Sequence, residues 1–438
     1  MFESFISAWN DRIMRNRLFV VFGGFAAFVM MVYITVPGVN RTLWQQMLAS
    51  GELFEFLGMF TGGALNNFSI IAMGITPYIN ASIIMQLLTV VIPKLHELQK
   101  EGGEQGRRQI NQYVRYGTVG LAFLQALVLV ISLMRYTSSS GAKVFYYTSF
   151  LYGTIVVLAL TAGTLCLVWL GERMTEYGVG NGTSMIIFAG IVLRYPDYLM
   201  NTFKLAKASS NQIQTYFQLT MFAIITLILI VAIVALTQAI RKVPVQYAKK
   251  IVGRRVTGGQ STYIPIKVNN AGVISIIFAI SVLYLPATII QFLKLDPSSP
   301  LGGIAVEYSK LMAHDGFLYN FIYFLLVIFF TYFYSAITFN IADIADNMKK
   351  FGGFIPGIRP GKNTVEFLNK IMNRITFISS ILLGLIAIAP NIIMVLTGIR
   401  SFYLGSTSLL IIVGVALDTM QQLEARSVMK HYQGFMKK

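Results

Sequence analysis

The side chains best able to do chemistry are too widely spread along this sequence for catalysis. The three histidines, His96, His314 and His431, stand far apart, and none has metal-ligand spacing or a nearby acidic partner. The only cysteine, Cys166, lies in an apolar run, so no disulfide or thiolate cluster can form within the chain. No Gly-x-x-x-x-Gly-Lys-Ser/Thr phosphate loop is present. We therefore predict a protein that is not an enzyme and that uses no cofactor and no metal.

Among the residue types that bind ligands or partners, arginine stands out because it occurs in distinctive sequence contexts. Arg254 and Arg255 are adjacent, and Arg359 lies in the run PGIRPG, where Pro356 and Pro360 restrict the backbone on either side. The fork-shaped guanidinium group pairs with carboxylates and phosphates. These positions predict contact with an acidic protein or with nucleic acid. The alternative is that the charges only fix membrane topology and touch lipid head groups.

Asp343 and Asp346 raise the alternative of a proton- or cation-binding pair, as in a transporter. They follow an apolar run at its end, however, and they precede Lys349 and Lys350. This setting favours a position at the membrane interface over one inside the membrane.

The composition predicts the elements that carry these residues. Of 438 residues, 55% are hydrophobic and 12% are charged, whereas a soluble domain is about one quarter charged. The apolar runs are long and continuous, unlike the short alternating strands of a transmembrane barrel. We predict an all-α polytopic membrane protein. Its net charge of +17 is expected in loops on the cytoplasmic side.

Ten transmembrane helices are predicted, the first of them uncleaved. They cover residues 18–36, 75–93, 117–134, 150–170, 183–193, 216–236, 271–293, 317–339, 375–396 and 401–417. With both termini cytoplasmic, roughly three quarters of the 35 lysines and arginines fall on the cytoplasmic side. The polar outer connection at 195–214 separates half one, about 1–205, from half two, about 206–438. Five spans in each half predict an inverted, pseudo-symmetric pair with a pathway at its interface.

Two long basic cytoplasmic loops are predicted in half two, at about 237–270 and 343–374.

The segment 53–93 in half one combines an interrupted part with a regular helix. Its first part is interrupted by glycine and asparagine, which weaken helix interiors, and its second part is a good helix. Irregular backbone at membrane depth is tolerated only against protein or a water-filled cavity. We therefore predict that this segment lines a pathway. The alternative is a loop followed by an ordinary span.

Five stretches, in order along the chain, resemble the SecY family of protein-conducting channel subunits. They are GITPYINASIIMQLL (74–88), EGGEQGRRQINQYVRY (101–116), WLGERMTEYGVGNGTSMIIFAGI (169–191), GRRVTGGQSTYIPIKVNNAGVI (253–274) and FNIADIADNMKKFGGFIPGIRPG (339–361). Thr183, Ser275 and Ile341 depart from the usual residues of the family. None of these departures removes a charge or a glycine.

The resemblance implies a narrow ring of aliphatic side chains from the second, fifth, seventh and tenth helices. An apolar constriction dewets and so holds back hydrated ions. The implied ring residues are Ile79, Ile83, Ile187, Ile191, Ile277 and Ile411. The first two pairs have i,i+4 spacing, which places each pair on one helix face. The alternative is that these are ordinary core or lipid-facing isoleucines.

The resemblance also implies a plug, expected as a short helix of low local stability that closes the outer funnel. Its implied residues are Leu57, Gly58, Phe60, Thr61, Gly62, Gly63, Leu65, Asn66, Asn67 and Phe68. A structural re-entrant turn is the alternative for this stretch. A lateral gate is implied between the second/third and seventh/eighth helices. Gln86 and Asn270 are its polar candidates, and amides at ordinary helix contacts are the alternative.

The function implied is translocation of unfolded polypeptides across the bacterial plasma (inner) membrane, with lateral insertion of apolar segments into lipid. The implied partners are the small membrane subunits SecE and SecG, the motor ATPase SecA, the ribosome with its RNA phosphates, and preproteins with their signal sequences. Arg254, Arg255 and Arg359 are the implied contacts for SecA or the ribosome. A secondary transporter with a midplane site is one rival, but it would need charged residues in mid-span, and almost none are present. A membrane scaffold without a pathway is the other rival.

Overall fold

A computed structural model describes residues 11–49, 58, 61–100, 102–134, 142–208, 212–247, 250–252, 255–257, 261–293, 316–338, 341–397 and 406–435. The helices are α1 Arg12–Tyr33, α2 Arg41–Ala49, α3 Thr76–Val91, α4 Pro93–Lys100, α5 Gly103–Met134, α6 Phe150–Tyr177, α7 Gly182–Ala208, α8 Gln212–Gln238, α9 Ile274–Leu293, α10 Phe317–Thr338, α11 Ile341–Lys350, α12 Lys362–Thr397 and α13 Ser406–Phe435. The strands are β1 Ile240–Tyr247, β2 Lys250–Val252, β3 Arg255–Thr257, β4 Ser261–Lys267 and β5 Gly353–Phe354.

The prediction of a helical membrane protein is confirmed. Within the described residues, seven helical stretches are long and apolar enough to cross a membrane, in α1, α5, α6, α8, α10 together with α11, α12 and α13. The number rises to eight when α3 and α4, which are bent by 105° at their break, are counted as one span. The count of ten spans stays a prediction.

Several polar connections of the chain join at one end of the helix bundle. Gly180, between α6 and α7, donates its N–H to Oε1 of Gln422 in α13, and Lys267 at the end of β4 reaches Oε1 of Gln421. Arg17 in the second turn of α1 bonds to the same α6–α7 connection. We name this the sheet end. The segments predicted to be cytoplasmic by charge therefore meet at one end of the molecule.

The opposite end is closed by contacts between the chain after α1 and the chain before α6. The Tyr152 hydroxyl donates to the Pro37 carbonyl at 2.6 Å, and Val39 forms a β-bridge with Phe145. The end of α1 and the beginning of α6 are thus fixed to each other, away from the sheet end.

The predicted basic loop at 237–270 contains a small antiparallel sheet, which the sequence did not predict. Its strand order is β4-β1-β5, and we name it the hairpin sheet. Val243 and Val245 alternate along β1 and are buried with Ile266 of β4 and Met348 of α11. The second basic loop contributes α11 and β5 to the same unit. Both loops are therefore folded against each other.

The fifth helix is also longer than predicted. α7 runs through Pro196 to Ala208, so most of the predicted outer connection at 195–214 is helical. A proline inside a helix removes one hydrogen bond and often ends or kinks the helix, yet α7 continues beyond Pro196. The next helix begins at Gln212, and the two halves are joined by a short connection.

Candidate functional site

Residues 61–75, which we name the turn segment, break the helical architecture. The short helix predicted for the plug is wrong over 61–68, where the chain makes successive turns instead. The backbone hydrogen bonds of these turns do not repeat at one spacing along the chain. Ala64 N–H donates to Thr61 O, Asn67 N–H to Gly63 O and Ser69 N–H to Ala64 O. Gly62, Gly63 and Gly74 have φ of 64°, 87° and 58°, and Phe68 has φ of 48°. Positive φ suits glycine and is uncommon for any other residue.

The polar backbone of the turn segment is bonded to the end of α1. Val36 donates to the Phe68 carbonyl and Ile70 donates to the Ile34 carbonyl, both at 3.0 Å, on either side of a β-bridge between Thr35 and Ser69. Buried backbone groups are costly when unpaired. This strand-like pairing is what permits non-helical chain inside an apolar protein.

One side of the turn segment packs against an aromatic group that we name the outer cluster. Trp44 of α2 is fully buried, and its Nε1–H donates to the Leu65 carbonyl at 2.7 Å. The Trp44 and Phe68 rings meet edge-on at 5.0 Å, and Phe68 meets Phe145 at 5.8 Å. An indole N–H bonded to a buried carbonyl fixes the position of that carbonyl. Trp44 therefore fixes the position of the turn segment on the side of the outer cluster.

The other side packs against an aliphatic group that we name the central cluster. From the turn segment it receives Ala64, Ile71 and Ile75. Five of the six predicted ring residues belong to or pack against it, namely Ile79, Ile187, Ile191, Ile277 and Ile411. The sixth, Ile83, is buried in a neighbouring cluster with Ile276 of α9, and Ile79 packs against both. The structure therefore brings isoleucines from α3, α7, α9 and α13 together beneath the turn segment.

The backbone of the turn segment lies very close to the backbone of two helices, α6 and α7. A β-carbon placed on Gly163 of α6 would overlap the Ile70 carbonyl, so only glycine lets this backbone approach. A β-carbon on Gly62 would lie 3.1 Å from the Cα of Gly190 in α7 and equally close to the Phe28 ring. The turn segment is thus held between α6, α7 and α1.

The two lateral-gate candidates are not joined by a hydrogen bond. Gln86 Oε1 is buried and has no partner among the described residues, and Asn270 Nδ2 lies 4.0 Å from the sulfur of Met372. Their role at the seam stays a prediction. The seam itself is apolar, because Ile83 of α3 packs with residues of α9 and α10.

The predicted contact residues are at the sheet end or outside the described residues. Arg359 is exposed in a turn between Gly357 and Gly361, both with positive φ, and its carbonyl accepts a bond from the Thr364 hydroxyl. Arg255 lies in the short strand β3. Arg254 and the plug residues Leu57 and Phe60 lie outside the described residues. The remaining plug residues are Gly58, Thr61, Gly62, Gly63, Leu65, Asn66, Asn67 and Phe68, and all of these are described.

Among the described residues, the ion pairs formed by α5 and α6 lie away from the turn segment. In the described part of the chain, no three His, Cys, Asp or Glu side chains converge to hold a metal ion. Arg115 of α5 pairs with Glu172 of α6 at 2.6 Å, and Arg173 pairs with Glu176 on the same helix. Both pairs include the polar stretch that ends α6 toward the sheet end.

Comparisons with known proteins decide the family. A SecY family model matches residues 69–420. The protein translocase subunit SecY of Thermotoga maritima is 40% identical over all of this chain and 98% of its own, and that of Streptomyces coelicolor is 42% identical over all of both chains. The chain belongs to the SecY family. Other members are similarly close, for example SecY of Thermus thermophilus at 41% identity.

Solved structures show the same fold as this SecY-family chain. A structure described as a protein conducting channel has a TM-score of 0.65 at 18% identity, covering 94% of this chain and 93% of that one. A second, on the plug domain of SecY and the closed state of its channel, has the same TM-score at 20% identity, covering 94% and 92%. Sec61 from a canine ribosome-channel complex gives 0.58 at 18% identity, covering 94% and 93%.

Sequence reasoning missed the residues that seat the turn segment in this SecY-family chain. Trp44 lies in a short segment between spans, and Gly163 and Gly190 lie inside apolar runs. A glycine inside a predicted helix lowers helix propensity and therefore points to a packing reason for its presence. The sequence does not say which distant backbone approaches it.

Proposed function

We propose that this chain is the channel-forming subunit of a protein translocase, moving unfolded polypeptides across a membrane and releasing apolar segments sideways into lipid. The observation that carries the proposal is the buried turn segment seated directly on a cluster of isoleucines from four helices. The relatives are named translocase subunits, and two structural neighbours are described as a protein-conducting channel and as having a plug. The secondary-transporter reading is not supported by these relatives.

In this proposal the chain has no catalytic group of its own. Ile79, Ile187, Ile191, Ile277 and Ile411, with Ile83 beside them, form an aliphatic constriction. Such a constriction holds back hydrated ions because it dewets, and it offers a passing peptide no polar atom to bind. Residues 57–68 close the outer side of this constriction at rest.

The lateral gate is proposed at the seam where α3 and α5 meet α9 and α10. The apolar packing of Ile83 against residues of α9 and α10 supports this position, because an apolar seam can part toward lipid without leaving many polar groups unpaired. Gln86 and Asn270 would adjust the free energy of opening. Gln86 Oε1, a buried acceptor with no partner among the described residues, would gain one when the seam rearranges.

The driving force is proposed to come from partners at the sheet end, on the cytoplasmic side of a bacterial inner membrane with both termini inside. The exposed Arg359 and the strand residue Arg255, with Arg254, would meet the motor SecA or ribosomal RNA. One structural neighbour is a channel in a ribosome complex. The subunits SecE and SecG, preproteins and their signal sequences complete the proposed assembly.

The test is single-channel conductance in planar bilayers, comparing the intact channel with a variant lacking residues 57–68. We expect a silent intact channel and a flickering, ion-conducting deletion variant. The same two proteins are assayed for motor-driven export of a preprotein into vesicles, which both should support. Silence of both in the bilayer, combined with saturable uptake of a small solute, would overturn the proposal in favour of a transporter.

A further inference from the structure

Arg194 occupies a particular position on α7. It follows Gly190 by one helical turn and Ile187 by two, and Ile191 lies on the same face. The face of α7 that contributes two isoleucines to the central cluster therefore continues, at its outer end, into a half-buried guanidinium group.

The Arg194 side chain lies across the first part of the plug. A β-carbon placed on Gly63 would be 3.7 Å from both Cδ and Nε of Arg194, and one placed on Gly58 would be 3.5 Å from Nη1. These are ordinary contact distances, so the stem of Arg194 covers Gly63 and its guanidinium end reaches Gly58. The positive φ of Gly63, 87°, favours glycine there, and the absence of a side chain leaves the backbone open to Arg194.

The described plug residues beneath Arg194 are bonded to one another. The Gly63 N–H donates to the Gly58 carbonyl at 3.3 Å, and the Thr61 hydroxyl donates to the same carbonyl at 3.1 Å. Asn66 Oδ1 lies 3.2 Å from the position of a β-carbon on Gly58. Arg194 thus covers plug residues that are held to one another by hydrogen bonds.

We propose that Arg194 is a positioning residue that holds the plug closed and couples it to the pore ring. The proposal rests on the proposed function, in which residues 57–68 seal a conducting pore. Because Arg194 and the ring residues Ile187 and Ile191 lie on one rigid helix face, a movement of α7 that widens the ring also withdraws Arg194 from the plug. The closed ring and the seated plug then favour each other, as two sites on one bistable element do.

The test uses the full translocase complex in planar bilayers with the variants Arg194→Met and Lys204→Met. Methionine keeps an unbranched apolar stem and removes the guanidinium group. Lys204 is an exposed cation further along α7, so its variant controls for loss of one positive charge on the same helix. We expect Arg194→Met to raise the open fraction about tenfold, equivalent to about 1.4 kcal/mol, and Lys204→Met to leave it unchanged. Arg194→Lys, which keeps the charge and loses the fork, should fall between Arg194→Met and wild type.

The deletion of residues 57–68 serves as the reference for an open channel. If the deletion variant conducts and Arg194→Met is as quiet as wild type, the role of Arg194 is wrong and the channel function stands. If the deletion variant is itself silent, residues 57–68 do not seal the pore, and the role of Arg194 fails together with that part of the proposed function. Equal conductance of Arg194→Met and Lys204→Met would also overturn the role of Arg194, because charge alone would then explain it.

A structural defect is distinguished by a second readout. Arg194→Met should keep the thermal unfolding midpoint of wild type and its rate of preprotein export, since a weaker contact to the plug does not block the pathway. An unfolding midpoint lowered in proportion to the leak, in both Arg194→Met and Arg194→Lys, would show a general loss of packing and would contradict the proposal.

Discussion

The turn segment and the hairpin sheet both leave the helix, and they do so in opposite surroundings. The turn segment is enclosed by α1, α2, α6 and α7, and its residues Thr61, Ala64, Phe68 and Ile71 are almost completely buried. The hairpin sheet projects from the sheet end, and only one face of β1 is buried. The first needs partners from distant parts of the chain for its backbone groups, whereas the second satisfies most of its own through strand pairing.

This difference shows how non-helical backbone is stabilised beside a pathway inside a membrane protein. Inside the apolar bundle, each turn of residues 61–75 depends on a specific neighbour, such as the Trp44 indole or the bare backbone of Gly163. Outside it, water can replace a lost contact. We therefore expect changes near the turn segment to affect the seal of the channel, and changes in the hairpin sheet to affect only its own stability or its partners.

The largest effect is expected for Gly163→Ala. The new β-carbon would overlap the Ile70 carbonyl, a backbone atom that cannot rotate away, so the turn segment must shift. We expect a loss of more than about 3 kcal/mol of stability, with raised ion leak, measured by thermal unfolding and conductance. Gly120→Ala on α5, where the β-carbon meets nothing within 4 Å, is the matched control and should be neutral or slightly stabilising. Equal behaviour of the two variants would contradict the close approach.

A purely local effect, with no ion leak, is expected for Ile266→Ala in the hairpin sheet. Ile266 is fully buried in the cluster with Val243 and Met348, and truncation there costs about 2–5 kcal/mol. We expect faster proteolysis within 240–267 and an unchanged, silent channel. Thr262→Ala, at an exposed position of the same strand, is the control. Ion leak from Ile266→Ala would remove the distinction between the two regions.

Trp44→Phe tests a single hydrogen bond of the turn segment. Phenylalanine keeps an aromatic ring against Phe68 but removes the donor to the buried Leu65 carbonyl. The Leu65 carbonyl keeps its bond from the Phe68 N–H, so losing the indole donor should cost about 0.5–1.5 kcal/mol and loosen the seal, seen as a lower unfolding midpoint and brief channel openings. Trp169→Phe, at an exposed position of α6, should change neither. An unchanged midpoint for Trp44→Phe would mean that the Phe68 N–H alone satisfies this carbonyl and that the indole bond does not hold the turn segment.

The smallest effect on stability is expected for Arg359→Glu. The side chain is exposed and the substitution should change stability by less than about 0.5 kcal/mol, yet motor-driven export should be crippled because a contact to an acidic or phosphate-bearing partner is reversed in sign. The measurement is preprotein export into vesicles with the thermal midpoint as reference. Lys362→Glu, exposed in the first turn of α12, is the comparison. Normal export by Arg359→Glu would exclude the contact role.

Much of the helical frame could be predicted from the sequence because it depends on local apolar length. The predicted eighth span at 317–339 matches α10, Phe317–Thr338, and the second span at 75–93 contains α3, Thr76–Val91. The hairpin sheet escaped prediction because only Val243 and Val245 carry the alternation on β1, and β4, its partner, lies beyond three glycines. α7 was predicted too short because a proline and polar residues were taken as its end.

The site was predicted in part. Spacing alone put Ile187 and Ile191 on one helix face, but any apolar helix offers several such faces, and packing with Ile411 and Ile71 marks the one that faces the centre. Trp44 and Arg194 gave no signal, since neither stands in a motif and each acts on residues of another segment. Helix propensity correctly marked residues 61–74 as a poor helix, without indicating the turns that replace it.

By itself, the sequence determined that this chain is a helical membrane protein with a basic side, and the motifs it carries place it in the SecY family. These properties add up along the chain, from apolar length, charge distribution and local spacing. Only the tertiary structure decided where the glycine-rich stretch lies and what holds it there. Its turns are stable because the Trp44 indole, the end of α1 and the glycines of α6 and α7 meet it in space, and no local property of residues 61–75 encodes those distant contacts.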